Sequence, residues 1–169
     1  MFWPFQRIQE QELTNAVLAF GGAFYKSLRQ NMDASSADVL ALQMEFPIMA
    51  ISVANVFIGL RKPNSRKLLA SNTKNTVMAY AWHFESITKG KVSAESYALQ
   101  LTNRLAQEQG MEYTRIVCEE PPEEQPEQLI RYFLQRVGAS ISEPALEEVN
   151  EGVAESLSLL IDGLRKAGV

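Results

Sequence analysis

Six aliphatic residues, Leu146, Val149, Val153, Leu157, Leu160 and Leu164, follow one another at spacings of three, four, four, three and four. Only an α-helix gathers residues so spaced onto one face, and a stripe of that kind must be buried against another helix. Ser142 stands where such a helix would be capped. Glu147, Glu151 and Glu155 fall on a different stripe and read as a solvated face.

The same periodicity recurs upstream. Leu13, Val17, Phe20, Phe24 and Leu28 make one buried stripe between Ile8 and Asn31, interrupted by Gly21 and Gly22, which suggest a bend or a close helix crossing. Asn31 to Ser36 is rich in turn formers, and Ser35 or Ser36 is placed to cap a helix opening at Ala37 and Asp38. Pro47 should break or kink that helix. From Ile48 to Leu60 apolar residues cover every side, as expected of an element at the centre of a domain. A helix then starts at Ser65 or only near Asn72. It carries Val77, Ala81, Phe84 and Thr88, with Tyr80 and Ile87 widening the stripe, and Gly90 is placed to stop it. Ser93 caps a further helix bearing Tyr97, Leu101 and Leu105, expected to end at Gly110 with an apolar contact from Met111. Tyr113 to Cys118 is the one stretch with strand character. Residues 119–128 form an acidic, proline-containing linker, and Pro126 opens a helix whose buried face is Leu129, Ile130, Phe133, Leu134 and Val137.

These patterns predict an all-α fold: one domain over residues 1–169, a bundle of six or seven helices around a central apolar helix. The longest uncharged run, Phe46 to Leu60, falls short of a bilayer core of ~30 Å at ~1.5 Å per residue, so no membrane span is expected. The apolar segment Met1 to Phe5 is expected to pack over an end of the bundle. A single cysteine, Cys118, and the lack of a secretory leader pattern place the chain in the cytoplasm.

Chemistry-bearing patterns are sparse. One histidine, His83, excludes any metal site built on a histidine pair, and no cofactor is expected. Cys118 lies between Val117 and Glu119, with no flanking cation to activate a thiol, and no phosphate-binding glycine loop or dinucleotide fingerprint occurs. Charge is distributed unevenly. Residues 61–115 hold nine Lys/Arg against four Asp/Glu, whereas residues 119–155 hold two against ten Glu, within a chain of net charge −4. The cluster Arg61, Lys62, Arg66 and Lys67 suits phosphate groups, but it has no interleaved aromatics, and nucleic-acid binding is not expected.

The first functional reading is therefore a non-enzymatic protein-interaction module, a homodimer joined through the Leu146 to Leu164 seam or a binder of another protein. The alternative is a helical binding protein or enzyme for a small apolar ligand, with Tyr80, Trp82, His83, Phe84 and Tyr97 supplying an aromatic wall and polar handles.

Overall fold

A computed structural model describes residues 3–33 and 39–169. Seven helices follow one another: α1 (Trp3–Arg29), α2 (Val39–Arg61), α3 (Arg66–Ile87), α4 (Ala94–Leu105), α5 (Glu108–Glu119), α6 (Gln125–Val137) and α7 (Glu143–Lys166). Two short strands, β1 (Met32–Asp33) and β2 (Ser140–Ile141), pair antiparallel and tie the segment after α1 to the turn before α7. The fold is an all-α bundle with one hydrophobic core drawn from all seven helices. The packing expected of Met1 to Phe5 and the capping expected of Ser35 and Ser36 lie outside the described residues and side chains.

Helix α2 is the central element, touching all six other helices. Its stretch Ala41–Arg61 has the length and apolarity to cross a bilayer, yet it is mostly buried inside the bundle. Of the break or kink expected at Pro47, the break does not occur, and α2 continues past it to Arg61. A proline at that position leaves the carbonyl of Gln43 without its helical donor. The Tyr97 hydroxyl, on α4, donates to that carbonyl at 2.7 Å. The orphaned acceptor is thus satisfied from another helix, and α2 runs on.

The seam on α7 finds its partner in the same chain. Leu146, Val149, Val153, Leu157, Leu160 and Leu164 are all buried, and α7 packs chiefly along α1. The two helices run antiparallel: Gln9 bonds to the Ala167 carbonyl, Ala16 faces Gly163, and Ser27 faces Gly152. A Cβ on Gly163 would sit 2.7 Å from that of Ala16, so these glycines let two backbones approach closely. Within one chain, then, the seam expected to join two copies is already buried. An apolar stripe reports that it needs a partner, and here α1 supplies it.

Three local expectations also fail. Tyr113 to Cys118 lies inside α5, because Tyr113, Ile116 and Val117 share the buried face at spacings of three and four. Helix α4 ends at Leu105 rather than at Gly110, which stands inside α5 against the Leu105 carbonyl and the Ser52 hydroxyl. Met111 is correspondingly exposed. The acidic linker is shorter than expected, since α6 already starts at Gln125. The Gln125 side-chain amide folds back onto the carbonyls of Val117 and Glu120 at 3.1 and 3.0 Å and so caps the end of α5. Three expected signals do hold. Helix α3 begins directly after Ser65, the Ser93 hydroxyl accepts from the Ser96 amide, and Gly90 adopts a left-handed conformation with φ 74°.

Candidate functional site

Where α1, α2, α3 and α4 meet, the surface opens into a cleft of about 610 Å³. Its wall is aromatic because α3 carries a second stripe beside its core stripe. Tyr80, His83, Phe84 and Ile87 recur at spacings of three, one and three and line the cleft together. Helix α2 adds Leu42, Phe46 and Pro47, α1 adds Leu18, Gly22 and Tyr25, and α4 adds Tyr97. The rings are ordered by one another. Tyr25 meets Phe46 edge to face at 5.5 Å, Phe46 meets Tyr80 at 6.2 Å, and Phe84 stacks on Tyr97 at 4.5 Å. Such contacts fix ring orientation, so the wall is largely formed before anything binds.

Four of the five aromatic-cluster residues singled out from the sequence, Tyr80, His83, Phe84 and Tyr97, line this cleft. Trp82 does not. Two positions from Tyr80 on a helix is over half a turn around, and Trp82 stands 62% exposed on another side of α3. His83 and Ile87 are exposed on one lip, the only imidazole beside an aliphatic residue. Tyr25 and Phe46 were missed by sequence reasoning, because only the crossing of three helices brings them to Tyr80.

The two glycines of α1 divide their work here. Gly21 is buried under the Tyr80 hydroxyl, and a side chain there would collide with that oxygen and press on Ala50. Gly22 faces the cleft with no atom within 4 Å of where a Cβ would stand. The Tyr80 hydroxyl is buried with no hydrogen-bond partner, and burial raises its pKa well above the usual tyrosine value. Burial likewise raises that of Tyr97. Both phenols therefore stay protonated at neutral pH. Compared with protein-family models, curated proteins and solved structures, the chain matches none.

Two further polar arrangements were not read from the sequence. The run Ser71 to Thr76, whose polarity obscured the start of α3, turns Asn72 and Thr76 wholly into the interior. Asn72 donates to Asn55, and Asn55 donates to Thr73 at 2.8 Å. A second cleft of about 580 Å³ opens beside them, lined by Ser52, Asn55, Thr73, Thr102, Thr114 and the free thiol of Cys118. No basic group among its lining residues adjoins the sulfur to activate it, since the Arg115 guanidinium is engaged by Glu112, Glu119 and Glu120.

The other arrangement lies inside the bundle. Glu45 of α2 is only 2% exposed and accepts a hydrogen bond from the Tyr113 hydroxyl at 2.8 Å, with the Arg136 Nε 3.6 Å from the same oxygen. Burial pushes the Glu45 carboxyl above the usual carboxylate range, opposed by Tyr113 and Arg136. Among the described residues no group of three His, Cys, Asp or Glu side chains is placed to hold a metal ion.

Proposed function

We propose that this chain is a binding protein of the cytoplasm that takes a small, mainly apolar ligand into the cleft between α1, α2, α3 and α4. The observation that carries the reading is the cleft's combination of size and wall. About 610 Å³ lies within the usual range for small-molecule sites, and rings already locked edge to face give a ligand apolar area at little ordering cost. The polar groups at hand are few. His83 on the lip can donate or accept one hydrogen bond, whereas the Tyr97 hydroxyl is committed to Gln43. Such a wall holds aromatic or aliphatic bodies carrying one polar group at the mouth. Nothing in the cleft pairs a nucleophile with a base, so the reading is binding without chemistry. Protein interaction through the α7 seam loses its motive, because that seam is filled from within.

Gly22 and Gly21 test this reading as a pair. Gly22→Met places a flexible apolar side chain in open cleft space and replaces glycine inside a helix, so stability should hold or rise by up to about 1 kcal/mol. The test probe is anilinonaphthalene sulfonate, an apolar body of three aromatic rings with one anionic group. The wild type should bind it saturably at one site, and Gly22→Met should bind about tenfold more weakly or less. Unchanged binding in a folded Gly22→Met would place the probe elsewhere and defeat the proposal. Gly21→Ala, one residue away, should instead lower stability by about 1–3 kcal/mol through overpacking against Tyr80 and Ala50, read from the urea midpoint.

A further inference from the structure

At one end of the bundle the last turns of α2 and α7, the first turn of α3 and the early turns of α1 converge. Arg61 reaches the carbonyls of Ile161 and Val169 at 3.5 and 3.4 Å, and Ile8, Lys67 and Lys166 line one depression of about 710 Å³. Cations dominate here although the chain as a whole is acidic. Arg61 closes α2, and Arg165 and Lys166 close α7, where positive charge complements the helix dipole and the fold accounts for it. Arg66 and Lys67 have no such account. They open α3, whose first turn holds no acidic residue, so both stand at the positive end of the dipole, where cations are disfavoured. Both are exposed, and among the described residues neither is in a salt bridge. Lys62 adds to the cluster, while Glu10 and Glu12 line the depression as well, and Asp162 is paired with Arg165 at 3.0 Å.

Two exposed apolar side chains belong to this end. Leu60, 65% exposed, precedes Arg61 in the last turn of α2, and Ile8, 56% exposed, lines the depression with Lys67 and Lys166. Lone cations would serve any polyanion. Aliphatic side chains among them gain nothing from a phosphate backbone and gain directly from acyl chains.

We propose that this end of the bundle is a docking surface for an anionic lipid bilayer. Arg61, Lys62, Arg66, Lys67 and Lys166 meet the headgroups, and Ile8 and Leu60 meet the acyl boundary. Charge and a modest apolar contact together give the two signals that reversible membrane attachment requires. The surface is distinct from the aromatic cleft, and its use does not depend on a cleft ligand.

Co-sedimentation of the full chain with vesicles decides it. Vesicles of equimolar phosphatidylcholine and phosphatidylglycerol should pellet the protein, vesicles of phosphatidylcholine alone should not, and added salt should release it. The double variant Arg66→Glu, Lys67→Glu should bind at least tenfold more weakly. Its thermal midpoint should equal or exceed that of the wild type, because glutamates suit the start of α3, so the loss cannot be put down to unfolding. Ile8→Ser, Leu60→Ser should weaken binding about fivefold at unchanged charge. Equal binding to both vesicle types, or no binding to either, overturns the proposal. So does binding to single-stranded RNA as tight as to the anionic vesicles with the Ile8, Leu60 variant unaffected on both.

Discussion

Leu157→Glu should unfold the chain rather than divide a dimer. Leu157 is 7% exposed within one molecule and belongs to the α7 stripe packed along α1. A carboxylate there loses the leucine's burial and has no cation on the buried stripe to pair with. About 4 kcal/mol or more is at stake, a large part of the stability of a domain this size. In a urea titration followed by circular dichroism, the variant should have lost most of its helical signal before denaturant is added, or show a midpoint near zero. Leu159→Glu is the matched comparison. Leu159 is 57% exposed two positions along the same helix, and its replacement should change stability by no more than about 0.5 kcal/mol. A Leu157→Glu protein that keeps its full helical signal and only loses mass in light scattering would refute the internal packing of α7.

That contrast marks where sequence reading reached its limit. The spacing of Leu146 to Leu164 dictates a helix and its buried face, since burial follows from periodicity alone. It does not say whose side chains fill the grooves. The answer lay in small residues, Ala16 and Ser27 on α1 facing Gly163 and Gly152 on α7, and their meaning depends on a pairing across more than a hundred residues. Pro47 does not end α2 for a related reason. The local rule that proline disrupts helices is sound, but Tyr97, fifty-four positions after Gln43, supplies the donor that the Gln43 carbonyl lacks. At Tyr113 to Cys118 the β-branched residues suggested a strand, while the three-and-four spacing of Tyr113, Ile116 and Val117 was the better guide.

The cleft was legible in part. Tyr80, His83, Phe84 and Tyr97 sit on two helices that are neighbours in sequence and in space, so their association could be read from spacing. Trp82 lay near them in sequence only. Tyr25 and Phe46 could not be reached at all, because they come from α1 and α2, far from Tyr80 in sequence, and meet it only where the three helices pack.

Arg136→Met should cost about 3 kcal/mol at neutral pH and much less in acid. The reason is Glu45, whose buried carboxylate has the Tyr113 hydroxyl as donor and Arg136 as the nearest cation, 3.6 Å away. Without that cation the buried charge keeps only the weaker pull of Arg104, a situation more costly than lacking the pair altogether. The pH dependence follows from the direction of the Glu45 shift. Its folded-state pKa is raised above the unfolded value, so the native protein holds the proton more tightly than the unfolded chain does. Stability tied to that proton is fully present below the ordinary carboxylate range and is lost as pH rises through the raised pKa. Removing Arg136 raises the folded pKa further and deepens the loss on the alkaline side. Urea midpoints measured across the weakly acidic to neutral range should therefore diverge between wild type and Arg136→Met as pH rises. Adding Glu45→Gln to Arg136→Met should abolish most of that divergence, because a neutral amide still accepts from Tyr113 and no longer needs a cation. A penalty for Arg136→Met that stays constant with pH, or one that persists with Gln at position 45, would show that Arg136 acts through packing of its stem rather than through the Glu45 charge.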